Sequence, residues 1–125
     1  MDINSALTIF SAFAQETRLV VFRKLVKAGP QGMPAGEISS ALAIPHNTLS
    51  FHLGHLKRAG IIKATKRGRS IIYSADFEQV NALILFLLQD CCSPQVNGDE
   101  ALQNCVVGAL PELLAALSAT QNSGA

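Results

Sequence analysis

Three cysteines and one long acid-free stretch are the places where this sequence could do chemistry. Cys91 and Cys92 are adjacent, and Cys105 follows after twelve intervening residues. Neighbouring Cα atoms stand ~3.8 Å apart, short of the ~4.4–6.8 Å that a disulfide usually spans, so the pair is badly shaped for bridging itself. Two adjacent thiolates can instead aim at one soft centre. Between Glu37 and Asp76 there is no acidic residue, while Lys57, Arg58, Lys63, Lys66, Arg67 and Arg69 supply six positive charges beside His46, His52 and His55. The rest of the chain carries four basic and nine acidic side chains, so the net charge of +1 hides a cationic segment next to an anionic remainder. Such segregation suits a surface that meets phosphate. A charge run alone is more often a solvated face; the elements that carry this one decide the matter.

Ile3, Ala6, Leu7, Phe10 and Phe13 recur at three- and four-residue spacing, which predicts a first amphipathic helix. The pattern resets around Ala14–Thr17. Leu19, Phe22, Leu25 and Val26 then line one face of a second helix, which Ala28–Gly29–Pro30 stops, and Gly32 and Pro34 predict a loop. A third, short helix fits Ala35 to Leu42, with Ile38, Ala41 and Leu42 inward. After the break at Ala43–Ile44–Pro45, Pro45 suits the first position of a fourth helix running to about Ala59, with Gly60 as a left-handed cap. Two β-branched runs flank a basic, glycine-containing turn between Ile61 and Tyr73, which reads as a hairpin. From Asp76 a helix apolar on nearly every side must be buried on most of them. Cys91–Cys92–Ser93–Pro94 ends it. Gln95 to Asp99 is a polar loop, and Glu100 to Thr120 is again apolar and helical, interrupted by Pro111.

Two short helices joined by a tight turn, followed by a basic hairpin, make a helix-turn-helix with a wing: a mainly α fold with a β-hairpin. Leu49, Leu53 and Leu56 would pin the fourth helix to the body and turn its other side outward. His46, Asn47, Thr48 and Ser50 lie in its first turns, where base edges and phosphates come within reach, and Phe51 could touch a thymine methyl. Arg58 falls on the same side. His52, nearer the apolar stripe, is expected as a structural hydrogen-bonder before a base reader. Lys63, Lys66, Arg67 and Arg69 would sit on phosphates or enter the minor groove.

Several runs of residues also resemble a known family. Phe13–Ala14–Gln15–Glu16–Thr17–Arg18–Leu19 resembles the opening of the second helix in ArsR/SmtB repressors. Ile44 to Ile62, with Ser50–Phe51–His52–Leu53 and Leu56–Lys57–Arg58–Ala59–Gly60–Ile61–Ile62 inside it, resembles their recognition helix and the strand after it. Lys66–Arg67–Gly68–Arg69 through Tyr73 resembles their wing, so the likeness covers about residues 5 to 90. It implies a homodimer built from the first and last helices, with Leu7, Phe10, Val80, Leu83, Ile84, Leu87 and Leu88 as contacts. It also implies binding to double-stranded operator DNA without ligand and release when ligand binds.

Members of that family sense metals through cysteines in the third helix or through His, Asp and Glu on the last. Residues 35–42 hold no cysteine and residues 76–90 no histidine, which argues against zinc, nickel or cobalt at those places. Cys91, Cys92 and Cys105 remain. Trivalent arsenic or antimony takes three thiolates in a pyramid, and closing the gap to Cys105 costs roughly 2 kcal/mol, less than a soft-ion thiolate bond returns. Some arsenic-sensing relatives carry a Cys–Cys pair after the last helix and a third cysteine shortly beyond; this chain resembles them, with a longer gap. The expected inducer is therefore arsenite or antimonite, with no organic cofactor. If Cys105 is a buried small hydrophobe, the remaining two thiolates suit a methylated arsenical. If the thiols oxidise, the chain is a redox-responsive repressor.

The organisation that follows is a winged helix-turn-helix and dimerisation domain over 1–90 and a cysteine segment with an extra helix over 91–125. With no Cys-X-X-Cys motif, no phosphate-cradling glycine loop and no strand–Cys–loop–helix unit, a thiol enzyme is not expected. The first residues lack a basic, then apolar, export signal, and the run Ala82 to Leu88 is far short of the ~20 residues of a membrane span. Free thiols in the cytoplasm are the expectation.

Overall fold

A computed structural model of the chain describes residues 1–88 and, beyond them, Ala115. Five helices and three strands follow in order: α1 (Ile3–Phe13), α2 (Glu16–Ala28), β1 (Met33–Pro34), α3 (Ala35–Leu42), α4 (His46–Arg58), β2 (Ile62–Arg67), β3 (Ser70–Ala75) and α5 (Phe77–Leu88). Met1–Ile84 forms one compact unit, and a second, Leu85–Ala125, is described only over the end of α5 and at Ala115. Among the described residues no helix is long and apolar enough to cross a membrane.

Side chains settle where α1 and α2 begin, and glycines settle where two of the helices stop. The Asp2 carboxylate accepts from the Ser5 amide at 2.8 Å, and the Gln15 side chain accepts from the Arg18 amide at 2.8 Å. Both satisfy donors that a helix start leaves without a partner. Gly60, at φ +85°, closes α4: its amide donates to the Lys57 carbonyl while Ile61 donates to Leu56. That left-handed turn is the cap expected of it. Pro45 sits one position earlier than expected. It is the N-cap of α4, with extended backbone at ψ 145°, and the helix proper starts at His46.

The core is assembled from Ile9 and Ala12 of α1, Val21 and Leu25 of α2, Ile38 of α3, and Leu49, Leu53 and Leu56 of α4, together with Ile61. Two helices bury different residues than their patterns predict. In α2 the inward set is Val21, Phe22 and Leu25, whereas Leu19 and Val26 stand about two-fifths exposed. Both α4 and β3 pack on α2, which turns the Val21–Leu25 side toward them. In α3, Ser39 is buried and Ala41 exposed, the reverse of what polarity suggests, because the Ser39 hydroxyl has a partner inside.

The hairpin pairs Ile62 with Ala75 through Arg67 with Ser70, leaving Gly68 and Arg69 as a two-residue turn. Gly68, at φ +62°, takes the first turn position, where a type II′ hairpin needs glycine. The segment expected as a loop supplies a third strand: Met33 pairs with Tyr73 and Pro34 with Ile72, so the sheet order is β1-β3-β2. Pro34 lacks an amide hydrogen and lies at an edge, where that costs least. Gly32, at φ +72°, brings β1 in against β3, and a Cβ there would collide with the Tyr73 carbonyl oxygen.

Candidate nucleic-acid interface

The turn between α3 and α4 fixes how α4 is presented. Ala43 adopts a left-handed conformation at φ +53°, the Ile44 amide donates to the Ser39 carbonyl at 3.1 Å, and the Ser39 hydroxyl donates to the Ile44 carbonyl at 2.6 Å. The break is thus strapped from both sides of the chain, and α4 leaves it with one defined face inward. Leu49, His52, Leu53 and Leu56 are buried on that face. His46, Asn47, Thr48, Ser50, Phe51, Lys57 and Arg58 are exposed on the other, with Gly54 and His55 half-buried between them.

Beside this outward face runs a shallow cleft of about 450 Å³, lined by Ser50, Leu53, Gly54, Lys57 and Arg58 of α4 and by Tyr73 of β3. The Arg58 guanidinium folds back over Gly54, so that a Cβ on Gly54 would stand 3.2 Å from its Nη1. Glycine is helical here; its use is to leave room for that side chain. In the hairpin, Lys66 and Ile71 share the face of Tyr73, which borders the cleft, while Lys63 and Arg67 lie on the other face. Arg69 occupies the turn. All four cations are exposed. Tyr73, Ser39 and Ile71 are additions to the residues expected from sequence, and Lys57, expected only as one charge of the cationic segment, takes a place in the cleft. The three- and four-residue spacing from Ser50 through Gly54 to Lys57 could have revealed Lys57. The positions of Tyr73 and Ile71 follow from strand register.

His52 corrects one expectation. It is 8% exposed and packs inward, so it does not face a groove, and its Nδ1 has no hydrogen-bond partner among the described residues. Its spacing from Leu49 and Leu56 places it on the buried stripe. Burial, reinforced by the nearby Arg18 and His55 charges, pushes its pKa below the ordinary 6.5. The folded protein then binds fewer protons at this site than the unfolded chain. Stability from His52 should be complete above about pH 6.5, decline as the pH falls below it, and level off beneath the folded-state value. Urea unfolding between pH 8 and 5 is expected to show this decline, and His52→Leu to reduce it. An equal decline in both proteins would refute the assignment.

Two apolar strips lie open. On α1, Ile3, Leu7 and Phe10 are exposed while Ala6, Ile9 and Ala12 face the core. On α5, Ile84, Leu85 and Leu87 are exposed and Val80 and Leu88 half-buried, whereas Leu83 is buried in its own chain. In the single chain Ile84, Leu85 and Leu87 of α5 are open. Cys91, Cys92 and Cys105 lie outside those residues. Within them, no group of three or more His, Cys, Asp or Glu side chains could hold a metal ion.

Residues 13–64 match the family model of a helix-turn-helix domain. The chain is 38% identical over 79 residues to an uncharacterized HTH-type transcriptional regulator, MJ1325, of Methanocaldococcus jannaschii, covering 63% of this chain and 86% of that protein. It is 31% identical over 94 residues to the transcriptional activator HlyU of Vibrio cholerae, covering 74% and 84%. Among solved structures, reduced HlyU from Vibrio cholerae aligns with a TM-score of 0.56 at 29% identity, over 72% of this chain and 92% of that one. The homodimeric winged helix-turn-helix domain of Mb0332 from Mycobacterium bovis, a possible ArsR-family regulator, aligns with a TM-score of 0.58 at 22% identity, over 68% and 76%, and shares the fold.

Proposed function

The chain belongs to the helix-turn-helix transcriptional regulators, and on that premise we propose that it represses transcription by binding operator DNA as a homodimer in the cytoplasm. The observation that carries this reading is the outward face of α4. Small and polar side chains there are flanked by Lys57 and Arg58 and by an exposed hairpin bearing Lys63, Lys66, Arg67 and Arg69, with no acidic residue between Glu37 and Asp76. Such a face can enter a major groove while the hairpin engages neighbouring phosphates. The open strips on α1 and α5 are the surfaces a second copy would cover, since apolar area of this kind is unfavourable in water. Fluorescence titration of duplex from upstream of its own gene, at several salt concentrations, tests the proposal. Binding with a steep, linear fall of log K against log salt is expected; indifference to duplex in dilute buffer, by a monomer, would overturn it.

The inducer follows from the donor set. Cys91, Cys92 and Cys105 are the only thiols, and three soft thiolates suit trivalent arsenic or antimony better than zinc, which prefers four ligands. The adjacent pair comes three residues after Leu88, the last residue described in α5, so ligation there would act on a helix offering an open apolar strip. A coupling of only ~1–3 kcal/mol between the thiol site and DNA changes affinity by about 5- to 150-fold. Cys91→Ser and Cys92→Ser are expected to bind operator normally and to keep it when arsenite is added, whereas the unmodified protein releases it. Normal release from either variant would remove the assignment. Methylarsenite in the same titration, with Cys105→Ser, distinguishes a two-thiolate site from a three-thiolate one.

A second reading, thiol oxidation as the signal, draws support from the likeness to a HlyU structure that is named by its reduced state. Release by peroxide without arsenic, reversed by dithiothreitol, would favour it.

A further inference from the structure

Phe51 is the anomaly on the outward face of α4. It is 63% exposed, among the most exposed large apolar side chains described, and stands between Asn47 and Thr48 one turn before it and Gly54 and His55 one turn after. A scattered surface apolar residue is ordinary. This one has an aromatic partner: its ring meets the His52 ring edge to face, centroids 5.6 Å apart and planes at 70°, and His52 is buried in the core face of the same helix. Perpendicular aromatic pairs are favourable, so the exposed Phe51 ring has one favourable contact with the body of the helix. The side chains one turn either side are small or polar, and Gly54 presents no side chain at all, so the ring stands proud of its surroundings. The same helix carries the exposed cations Lys57 and Arg58 and the hairpin four more, with no acidic residue between Glu37 and Asp76, so an acidic polymer is the occupant that charge complementarity selects.

We infer that Phe51 reads a thymine in each half-site through the thymine methyl group. This inference rests on the reading of α4 as the helix that faces DNA, and it adds which base identity the helix selects and by what force. In the major groove the thymine 5-methyl is the one apolar feature among donors and acceptors, and a phenyl ring can neither donate to nor accept from the other edges. Pressed against cytosine the ring would strip water from an amino group and return no hydrogen bond. Selectivity therefore comes from both attraction to the methyl and exclusion of the polar edge.

The experiment uses the full chain and the tightest duplex recovered from a randomised library, with each thymine replaced in turn by deoxyuridine, which removes only the methyl. Burying one methyl is worth about fourfold in an equilibrium constant. The unmodified protein should bind about fourfold more weakly when the one such thymine of either half-site is replaced, and Phe51→Ala should bind the two duplexes equally. Because Phe51 is exposed, the substitution leaves the core intact, and an unchanged unfolding midpoint verifies that. No thymine whose methyl matters, or a methyl effect that persists in Phe51→Ala, overturns the inference while leaving DNA binding standing. Undiminished DNA affinity in Phe51→Ala also overturns it and makes the ring a contact for another protein. Failure to retain any duplex in dilute salt removes the underlying reading and this inference together.

Discussion

Alanine at Lys66, Arg67 and Arg69 together is expected to weaken DNA binding by about 500-fold at 0.1 M salt and to lower the slope of log K against log salt by nearly three. The figure follows from counterion release. Each phosphate neutralised contributes about 0.9 to the slope, so three contacts contribute a factor that grows as salt is diluted and vanishes near molar concentration. All three side chains are exposed at the end of the hairpin, and none is part of the core, so the folded structure should survive their loss. Lys66 shares a face with Tyr73, toward α4, whereas Arg67 projects from the opposite face and Arg69 from the turn. The hairpin end can thus touch backbone on both sides as it enters a groove. Titrations of the triple variant between 0.05 and 0.5 M salt provide the check, the range over which a slope near three changes affinity by about three decades. A uniform loss of affinity with an unaltered slope would mean that these cations do not meet phosphate.

The second large effect is on stability. Gly32→Ala is expected to cost about 3 kcal/mol or more, combining left-handed backbone strain with the displacement of β1 from β3. Gly29 supplies the control. Its φ of +80° is similar, but nothing lies within 4 Å of where a Cβ would go, so alanine there should cost only the backbone strain of about 1–3 kcal/mol. At Gly32 the added carbon meets the Tyr73 carbonyl oxygen, a backbone atom already committed to the sheet, and the Ile72 side chain at 2.9 Å. Urea unfolding of the two variants separates the terms; equal losses at both positions would show that the close approach carries no energetic weight. Since Tyr73 also lines the cleft beside α4, Gly32→Ala should disturb the interface as well as the fold.

Much of the architecture was legible in local pattern. The stripe of Leu49, Leu53 and Leu56, the cap at Gly60 and the turn at Gly68 each depend on interactions within a few residues, and all three stand where their spacing and chemistry put them. The outward set from His46 to Arg58 followed from the same periodicity, because once one face of a helix is known to be buried the other is settled. Where local pattern misled, partners distant in sequence had decided the outcome. Leu19 and Val26 look as apolar as Val21, yet they fall outside the side of α2 that its neighbours cover.

The sequence by itself determined the two short helices and the tight turn between them, the basic hairpin and the acid-free middle third, because helical periodicity, turn chemistry and charge are properties of neighbouring residues. Tertiary structure alone decided that Met33–Pro34 becomes a strand, that Ser39 is buried and straps the turn, that Tyr73 joins Gly54 and Arg58 in one cleft, and that His52 turns inward without a partner for Nδ1. Each of those outcomes depends on a contact between segments far apart in the chain. Its free energy is set by the register and shape of the completed sheet and helix packing, and a run of neighbouring residues does not contain it.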